Sequence, residues 1–120
     1  METILIVEDD PAMLRGLKDN FEFKGYRVLT AADGEAGLNA ALDKKPDLIL
    51  LDIMLPKING YEVCSELKND PATRDIIIIM LTAKGQESDK IKGLEVGVDE
   101  YITKPFSPQD LLDRTKDLLG

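Results

Sequence analysis

The 120-residue sequence predicts an α/β fold in which five strands alternate with five helices, a (βα)5 doubly wound parallel sheet. Short runs rich in β-branched residues alternate with longer segments whose apolar residues recur every three or four positions. The run at 48–51 is apolar at every position, which is typical of a strand covered by helices on both faces, and the run at 76–82 is the most β-prone in the chain. No repeat or linker interrupts this alternation, so we expect one domain over residues 1–120.

Helix boundary signals place the elements of the first half of the chain. Asp10 is a good N-cap and Pro11 a good first helical residue, so a helix follows the first strand and ends at Gly25. Asp33 begins a second helix, which the basic pair before Pro46 ends. The predicted strands cover residues 3–8, 26–31 and 48–52, and the predicted helices cover residues 11–24 and 34–44. Their expected apolar faces comprise Met13, Leu14, Leu17 and Phe21 in the first helix and Leu38, Ala41 and Leu42 in the second.

Glycine and proline divide the second half of the chain. Gly60 begins a helix that the Asp-Pro pair at 70–71 ends, and Ser107 caps the last helix. The helix predicted over 86–97 has a thin apolar stripe and contains Gly93, which costs about 1 kcal/mol relative to alanine, so we expect it to be weakly held. The predicted strands cover residues 76–82 and 99–103, and the predicted helices cover residues 60–69, 86–97 and 108–119. Expected inward residues are Val63, Cys64 and Leu67 in the first of these helices and Leu111, Leu112, Thr115, Leu118 and Leu119 in the last.

The composition excludes several classes of function. With 15 basic and 23 acidic residues the net charge is −8, which argues against direct binding of nucleic acid or of an anionic membrane surface by this segment. The single cysteine excludes an internal disulfide, and the lack of histidine excludes histidine catalysis and histidine metal ligands. Neither a signal peptide nor an apolar run of about 18 residues is visible, so we expect a cytoplasmic protein without membrane association.

Polar side chains that core packing does not explain follow four of the predicted strands. They are the acids at 8–10 after the first strand, Asp52 after the third, Thr82 at the end of the fourth and Lys104 after the fifth. Because the carboxyl ends of parallel strands meet at one edge of a sheet, we expect these groups to converge on one shallow pocket. Asp52 is the most informative of them, since a charge at the end of a buried strand is costly without a partner. Asp10 has an alternative explanation as a helix cap, and Glu8 as an exposed strand-end acid.

The chemistry of these groups points to a phosphoryl-transfer site. Clustered carboxylates raise one another's pKa unless a cation intervenes, and an all-oxygen ligand set suits Mg²⁺. A carboxylate facing such an ion can attack phosphorus and form an acyl phosphate. A hydroxyl and an ammonium group would bind the remaining phosphoryl oxygens, and phosphoryl transfer needs mainly such positioning and charge neutralisation.

Four motifs, in this order and on this frame, resemble the receiver domain of two-component response regulators over essentially all 120 residues. They are Ile-Val-Glu-Asp-Asp at 6–10, Leu-Leu-Asp-Ile-Met-Leu-Pro at 50–56 with Gly60, Leu-Thr-Ala at 81–83 and Tyr-Ile-Thr-Lys-Pro-Phe at 101–106. The resemblance implies a flavodoxin-like, CheY-like three-layer sandwich. It also implies a phosphorylation-dependent switch in a phosphorelay rather than an enzyme with an external turnover substrate.

The resemblance implies a role for each strand-end residue. Asp52 would accept a phosphoryl group from a sensor histidine kinase, and Thr82 and Lys104 would bind phosphoryl oxygens. The implied Mg²⁺ ligands are Asp9, Asp52 and the backbone carbonyl of Met54, with Glu8 acting through a metal-bound water. The Lys104–Pro105 peptide bond is expected to be cis. Thr82 would move toward the phosphoryl group and Tyr101 would swing inward, which couples the site to the face formed by the helix over 86–97, the fifth strand and the last helix.

A narrower resemblance is to receivers of OmpR/PhoB-type winged-helix transcription factors, carried by residues 84–90 and 97–101. It implies control of transcription and a phosphorylation-dependent homodimer through the same face. The matching pairs are Lys90 with Asp110, and Glu100 or Asp99 with Arg114 or Lys116. The alternative is a solvated charged face, in which each exposed pair adds about 0–1 kcal/mol.

Other functions are less compatible with the sequence. One alternative is a stand-alone receiver that acts by protein–protein contact. A Mg²⁺-dependent phosphatase with an aspartyl nucleophile needs a general acid two residues after the nucleophile, where Met54 stands. A pseudo-receiver would lack one of the key acids, the threonine or the lysine, and a flavin-binding protein would need a phosphate loop after the first strand.

Overall fold

A five-stranded parallel sheet in the order β2-β1-β3-β4-β5 forms the centre of the molecule. The computed structural model describes residues 1–83 and 97–120. The strands are β1 (Thr3–Val7), β2 (Arg27–Ala31), β3 (Leu48–Asp52), β4 (Ile77–Ala83) and β5 (Glu100–Lys104). The helices in the described residues are α1 (Pro11–Phe23), α2 (Gly34–Lys44), α3 (Gly60–Lys68) and α4 (Pro108–Leu119). The helix predicted over 86–97 lies outside the described residues except for its last position, Gly97.

Two apolar clusters cover the two faces of the sheet and make it a three-layer sandwich. Along β1, Ile4 and Ile6 pack with α1 and α4, whereas Leu5 and Val7 pack with α2 and α3. The residues of β3 are buried throughout, as the uninterrupted apolar run at 48–51 predicts. The α/β doubly wound fold expected from the sequence is confirmed. Within residues 1–83 and 97–120, none of the helices has the length and apolarity that a bilayer-spanning segment requires.

The helix caps that the sequence indicates are present. Asp10 accepts a hydrogen bond from the Ala12 N–H at 3.0 Å, and Ser107 accepts one from the Asp110 N–H at 3.0 Å. At most of the strand ends, the boundary in the structure differs from the predicted boundary by one residue. The first strand ends at Val7 rather than residue 8, although the Glu8 N–H still donates to the Ala31 carbonyl at 3.0 Å.

The expected apolar face of α2 was wrong at Leu42, whose side chain is 40% exposed. The helix instead packs on the sheet through Gly37 and Ala41, both of which are buried. These small residues are four positions apart, so they lie on one side of the helix, and Gly37 allows close approach to Val7. Leu42 is one position further along and therefore points away from the sheet.

The register of the strands brings their carboxyl ends to one edge. Asp52 is the partner of Leu81, and Thr82 is the partner of Thr103. Glu8 follows the last residue of β1, and Lys104 is the last residue of β5. Glu8, Asp52, Thr82 and Lys104 therefore belong to the ends of four neighbouring strands.

Candidate functional site

Three carboxylates form an acidic cluster at the carboxyl edge of the sheet. Oxygen atoms of Glu8, Asp9 and Asp52 all lie within 4.8 Å of one another. Glu8 and Asp52 are buried, whereas Asp9 is exposed. The cluster lines a cleft of about 300 Å³, which Met13, Ile53, Met54, Leu81 and Lys104 also line. The carboxylates expected to converge from the ends of β1 and β3 do so in the structure.

Asp52 is held by two hydrogen bonds at the end of the buried strand β3. One of its carboxylate oxygens accepts from the Lys104 ammonium at 3.0 Å. The other oxygen accepts from the Met54 N–H at 3.2 Å. The second bond fixes the start of the loop after β3 relative to the carboxylate.

Glu8 is buried, with 1% of its side chain exposed, so it is not the exposed strand-end acid that one alternative proposed. Its carboxylate accepts from the Asp10 N–H at 3.2 Å and from the Lys104 ammonium at 3.4 Å. Burial raises the pKa of Glu8 to about 7, and the neighbouring Asp52 adds to the rise. Near neutral pH this carboxyl therefore exchanges readily between its protonated and ionised forms.

Lys104 joins the two buried acids. Burial acts to lower the pKa of its ammonium group, but the hydrogen bond and charge of Asp52 outweigh that effect and raise the pKa above its usual value. Lys104 therefore remains a cation at neutral pH. The peptide bond between Lys104 and Pro105 is cis in the structure.

Thr82 and Tyr101 lie on the two strands at the β5 edge of the sheet. Thr82 is 2% exposed and follows Leu81, the register partner of Asp52. Tyr101 is half-buried and packs against the apolar cluster that contains Met80, its partner on β4. The inward movement of Tyr101 stays a prediction.

The loop after β3 makes a tight turn around the end of the strand. The Gly60 N–H donates to the Ile53 carbonyl at 2.9 Å, and a Cβ on Gly60 would lie 2.5 Å from the Asp52 carbonyl oxygen. Only glycine fits this approach, which explains why Gly60 accompanies the motif at 50–56. Met54 exposes 68% of its side chain at the mouth of the cleft.

The loop also contacts the start of α2, which the sequence did not predict. The Gly34 N–H donates to the Pro56 carbonyl at 3.2 Å. Gly34 is twenty-two residues from Pro56 in the chain, and no motif or spacing links the two positions. The Asp33-Gly34 pair signals a helix start in the sequence, but it carries no information about what the helix start touches.

The residues of the predicted dimer face are only partly free of contacts within the chain. The Asp99 carboxylate accepts from the Lys68 ammonium at 3.0 Å and from the Ile78 N–H at 2.8 Å. Glu100 forms an ion pair with Arg114. Asp110 and Lys116 are exposed on α4, and Lys90 lies outside the described residues. The intermolecular pairing of these side chains stays a prediction.

The donor set of the acidic cluster fits a hard divalent cation. All three groups are carboxylates, and their oxygens lie close enough to share one ion. Oxygen-only ligands and a small open cleft favour Mg²⁺ over softer metals. Asp9, Asp52 and the Met54 carbonyl are the groups that would hold it, with Glu8 next to them.

Comparisons with known proteins identify a matching family and similar sequences. Residues 4–116 match the family described as the response regulator receiver domain. The chain is 51% identical over 118 residues to the phosphate regulon transcriptional regulatory protein PhoB of Pseudomonas aeruginosa, covering 98% of this chain and 52% of that protein. It is 48% identical over 119 residues to the DNA-binding dual master transcriptional regulator RpaA of Synechocystis, covering 99% of this chain and 49% of that protein. The chain thus spans about half the length of these relatives.

A solved receiver structure is also similar to the chain. The receiver domain of the sensor histidine kinase PA1611 from Pseudomonas aeruginosa has a magnesium ion coordinated in its active site cleft. It is 32% identical to this chain, with a TM-score of 0.90, and the match covers 99% of this chain and 98% of that one.

Proposed function

The chain belongs to the response regulator receiver family, and from this premise we propose that Asp52 accepts a phosphoryl group from the phosphohistidine of a sensor histidine kinase. The observation that carries the proposal is the environment of Asp52. Its carboxylate ends a buried strand, bonds the Lys104 ammonium at 3.0 Å and lies among two further acids. A buried acid held between a cation and other acids is typical of a reactive group rather than of a surface turn.

In the proposed transfer, a carboxylate oxygen of Asp52 attacks phosphorus. The bond between phosphorus and the donor imidazole nitrogen breaks, and an acyl phosphate forms on Asp52. Mg²⁺, held by Asp9, Asp52 and the Met54 carbonyl with Glu8 acting through a water, would supply neutralisation of the phosphoryl charge. The similarity to a receiver with magnesium in its cleft supports this assignment.

Lys104 and Thr82 would bind the oxygens of the transferred group. Lys104 is charged at neutral pH and already contacts the carboxylate that accepts the group. It can exchange its bond to Asp52 for a bond to a phosphoryl oxygen without crossing the cleft. Thr82 on the adjacent strand would donate its hydroxyl to another oxygen, and Tyr101 would move inward beside it.

The relatives support a proposal for the output of the switch. Because PhoB and RpaA are named as transcriptional regulators, we propose that residues 1–120 form the receiver domain of a cytoplasmic protein that regulates transcription. Phosphorylation would change the face formed by β5, α4 and the segment that follows β4, and would promote a homodimer. The receiver itself turns over no external substrate.

Phosphorylation by acetyl phosphate tests the proposal. With Mg²⁺ present, intact mass should show one added phosphoryl group in the wild type and none in Asp52→Asn. The matched control is Asp75→Asn, which changes an exposed aspartate just before β4 and should be labelled like the wild type. Labelling that survives Asp52→Asn, or that needs no divalent ion, contradicts the assignment. Light scattering with and without beryllofluoride tests the dimer, and a monomer in both states at high concentration contradicts it.

A further inference from the structure

The first residue of α2 touches the middle of the loop that follows Asp52. The Gly34 N–H and the Ile58 N–H both donate to the Pro56 carbonyl, at 3.2 Å and 2.9 Å. A Cβ built on Gly34 would lie only 1.8 Å from the Ile58 carbonyl oxygen. The backbone of the loop therefore rests directly on the backbone of the helix start, with no room for any side chain between them.

The same loop carries the Met54 carbonyl, one of the proposed Mg²⁺ ligands. Its first residues are fixed to the strand end, because the Met54 N–H donates to Asp52 at 3.2 Å and the Leu55 N–H donates to the Ile53 carbonyl at 3.1 Å. Its far end is fixed by the first residue of α3, because the Gly60 N–H donates to the Ile53 carbonyl at 2.9 Å. The contact with Gly34 holds the segment between these two fixed ends at a set distance from α2.

A second contact joins the same two segments. Lys57 has a left-handed backbone, with φ of 70°, and its ammonium lies 3.8 Å from the Asp33 carboxylate. The lysine is 60% exposed, so this pair adds little energy. It shows that the loop also approaches the start of α2 through Lys57, the residue after Pro56.

We infer that Gly34 is a positioning residue for the phosphorylation site, acting through the loop on the Met54 carbonyl. The inference rests on the proposed function, in which that carbonyl binds Mg²⁺. Any side chain at position 34 must push helix and loop apart by about 1.6 Å, because its Cβ would lie 1.8 Å from the Ile58 carbonyl oxygen and ordinary contact begins at 3.4 Å. The loop gives way rather than the helix, because α2 is fixed against the sheet by the buried Gly37 and Ala41 whereas Met54, Pro56 and Lys57 are exposed.

Three glycine-to-alanine variants separate positioning from stability. Gly34→Ala displaces the loop. Gly37→Ala is on the same helix, and its Cβ would meet Val7 side-chain atoms at 2.8 Å, so it strains the core without touching the loop. Gly16→Ala is in α1, and its Cβ would meet nothing within 4 Å among the described residues. The Mg²⁺ dissociation constant of each variant is measured by titration of backbone amide shifts, and stability is measured by urea unfolding.

Gly34→Ala should weaken Mg²⁺ binding about tenfold and slow phosphorylation by acetyl phosphate by a similar factor. Gly37→Ala should lower the urea midpoint, but its Mg²⁺ dissociation constant and that of Gly16→Ala should stay within about twofold of the wild type. The inference is overturned if the Mg²⁺ dissociation constant of Gly34→Ala is also within about twofold of the wild-type value. An equal loss of binding in Gly37→Ala overturns it as well, because general strain would then explain the effect.

Amide hydrogen exchange of the wild type tests the inference even if Gly34→Ala does not fold. Coupling between two sites is reciprocal. If Mg²⁺ binding depends on the contact between Gly34 and the loop, bound Mg²⁺ must also strengthen that contact. Saturating Mg²⁺ should therefore slow exchange of the Gly34 amide and leave the Tyr26 amide, which bonds the Phe21 carbonyl, unchanged. An unchanged rate at Gly34 overturns the inference. A wild type that binds no Mg²⁺ at all instead contradicts the proposed function, so the two failures are distinguishable.

Discussion

Replacing Glu8 with glutamine should remove a pH dependence of stability that the wild type has when divalent ions are chelated. Burial raises the pKa of Glu8 from 4.5 to about 7 in the folded protein. Between these two values the folded state keeps a proton that the unfolded state has lost, so the free energy of unfolding falls as the pH rises. Above pH 7 both states are ionised and the whole cost of burying the charge is present. The shift corresponds to a loss of at most about 3 kcal/mol between pH 4.5 and pH 7.

Urea unfolding in EDTA at about pH 5 and about pH 8 measures this loss. The wild type should be less stable at the higher pH, and Mg²⁺ should restore stability there because it compensates the buried charge. Glu8→Gln has no ionisable group at this position and should show a much flatter profile. Glu66→Gln removes an exposed carboxylate on α3 and should keep the wild-type profile. Wild-type and Glu8→Gln profiles that run parallel would refute the reasoning, because the titrating group would then lie elsewhere.

Two further predictions concern stability away from the cleft. The Lys68 side chain is 18% exposed, and its ammonium group donates to the carbonyls of Arg74 and Ile76 and to the Asp99 carboxylate. Lys68→Met should therefore lower the free energy of unfolding, measured in urea, by about 2 kcal/mol. The control Lys44→Met removes an exposed ion pair and should cost less than about 0.5 kcal/mol. A similar small cost for both would show that the Lys68 bonds contribute little. The buried Thr115 hydroxyl has no hydrogen-bond partner within residues 1–83 and 97–120. Thr115→Val should therefore raise the free energy of unfolding by about 1 kcal/mol. A loss of stability would instead indicate a hydrogen-bond partner outside those ranges.

The sequence allowed the sheet and the acidic cluster to be predicted because both depend on local patterns. The apolar run at 48–51 specifies a strand buried on both faces, and parallel strands must end at one edge. A charge placed directly after such a run, as at Asp52, therefore has a predictable position. The order of the other polar residues after their strands places them at the same edge without any knowledge of distances.

Features that depend on how segments approach one another were not predictable. Leu42 is exposed because α2 packs on the sheet through the side that carries Gly37 and Ala41. The spacing of apolar residues alone is equally compatible with packing through the side that carries Leu42. Asp99 was expected on a dimer face, but its carboxylate is held by Lys68, thirty-one residues earlier in the chain. The contact of Gly34 with the loop depends on a backbone distance that leaves no trace in the composition of either segment.

The balance of charge in the cleft explains why the raised pKa of Glu8 and the proposed need for Mg²⁺ have the same origin. With Glu8, Asp9 and Asp52 ionised, the three carboxylates face only the Lys104 cation within the cleft as the structure describes it. Such an excess of negative charge can be reduced by a proton on Glu8 or by a divalent cation. A phosphoryl group would bring further negative charge to Asp52, which one lysine cannot offset. The proton and the cation therefore compete for the same cluster, and loading of the site with Mg²⁺ should become easier as the pH rises past the pKa of Glu8.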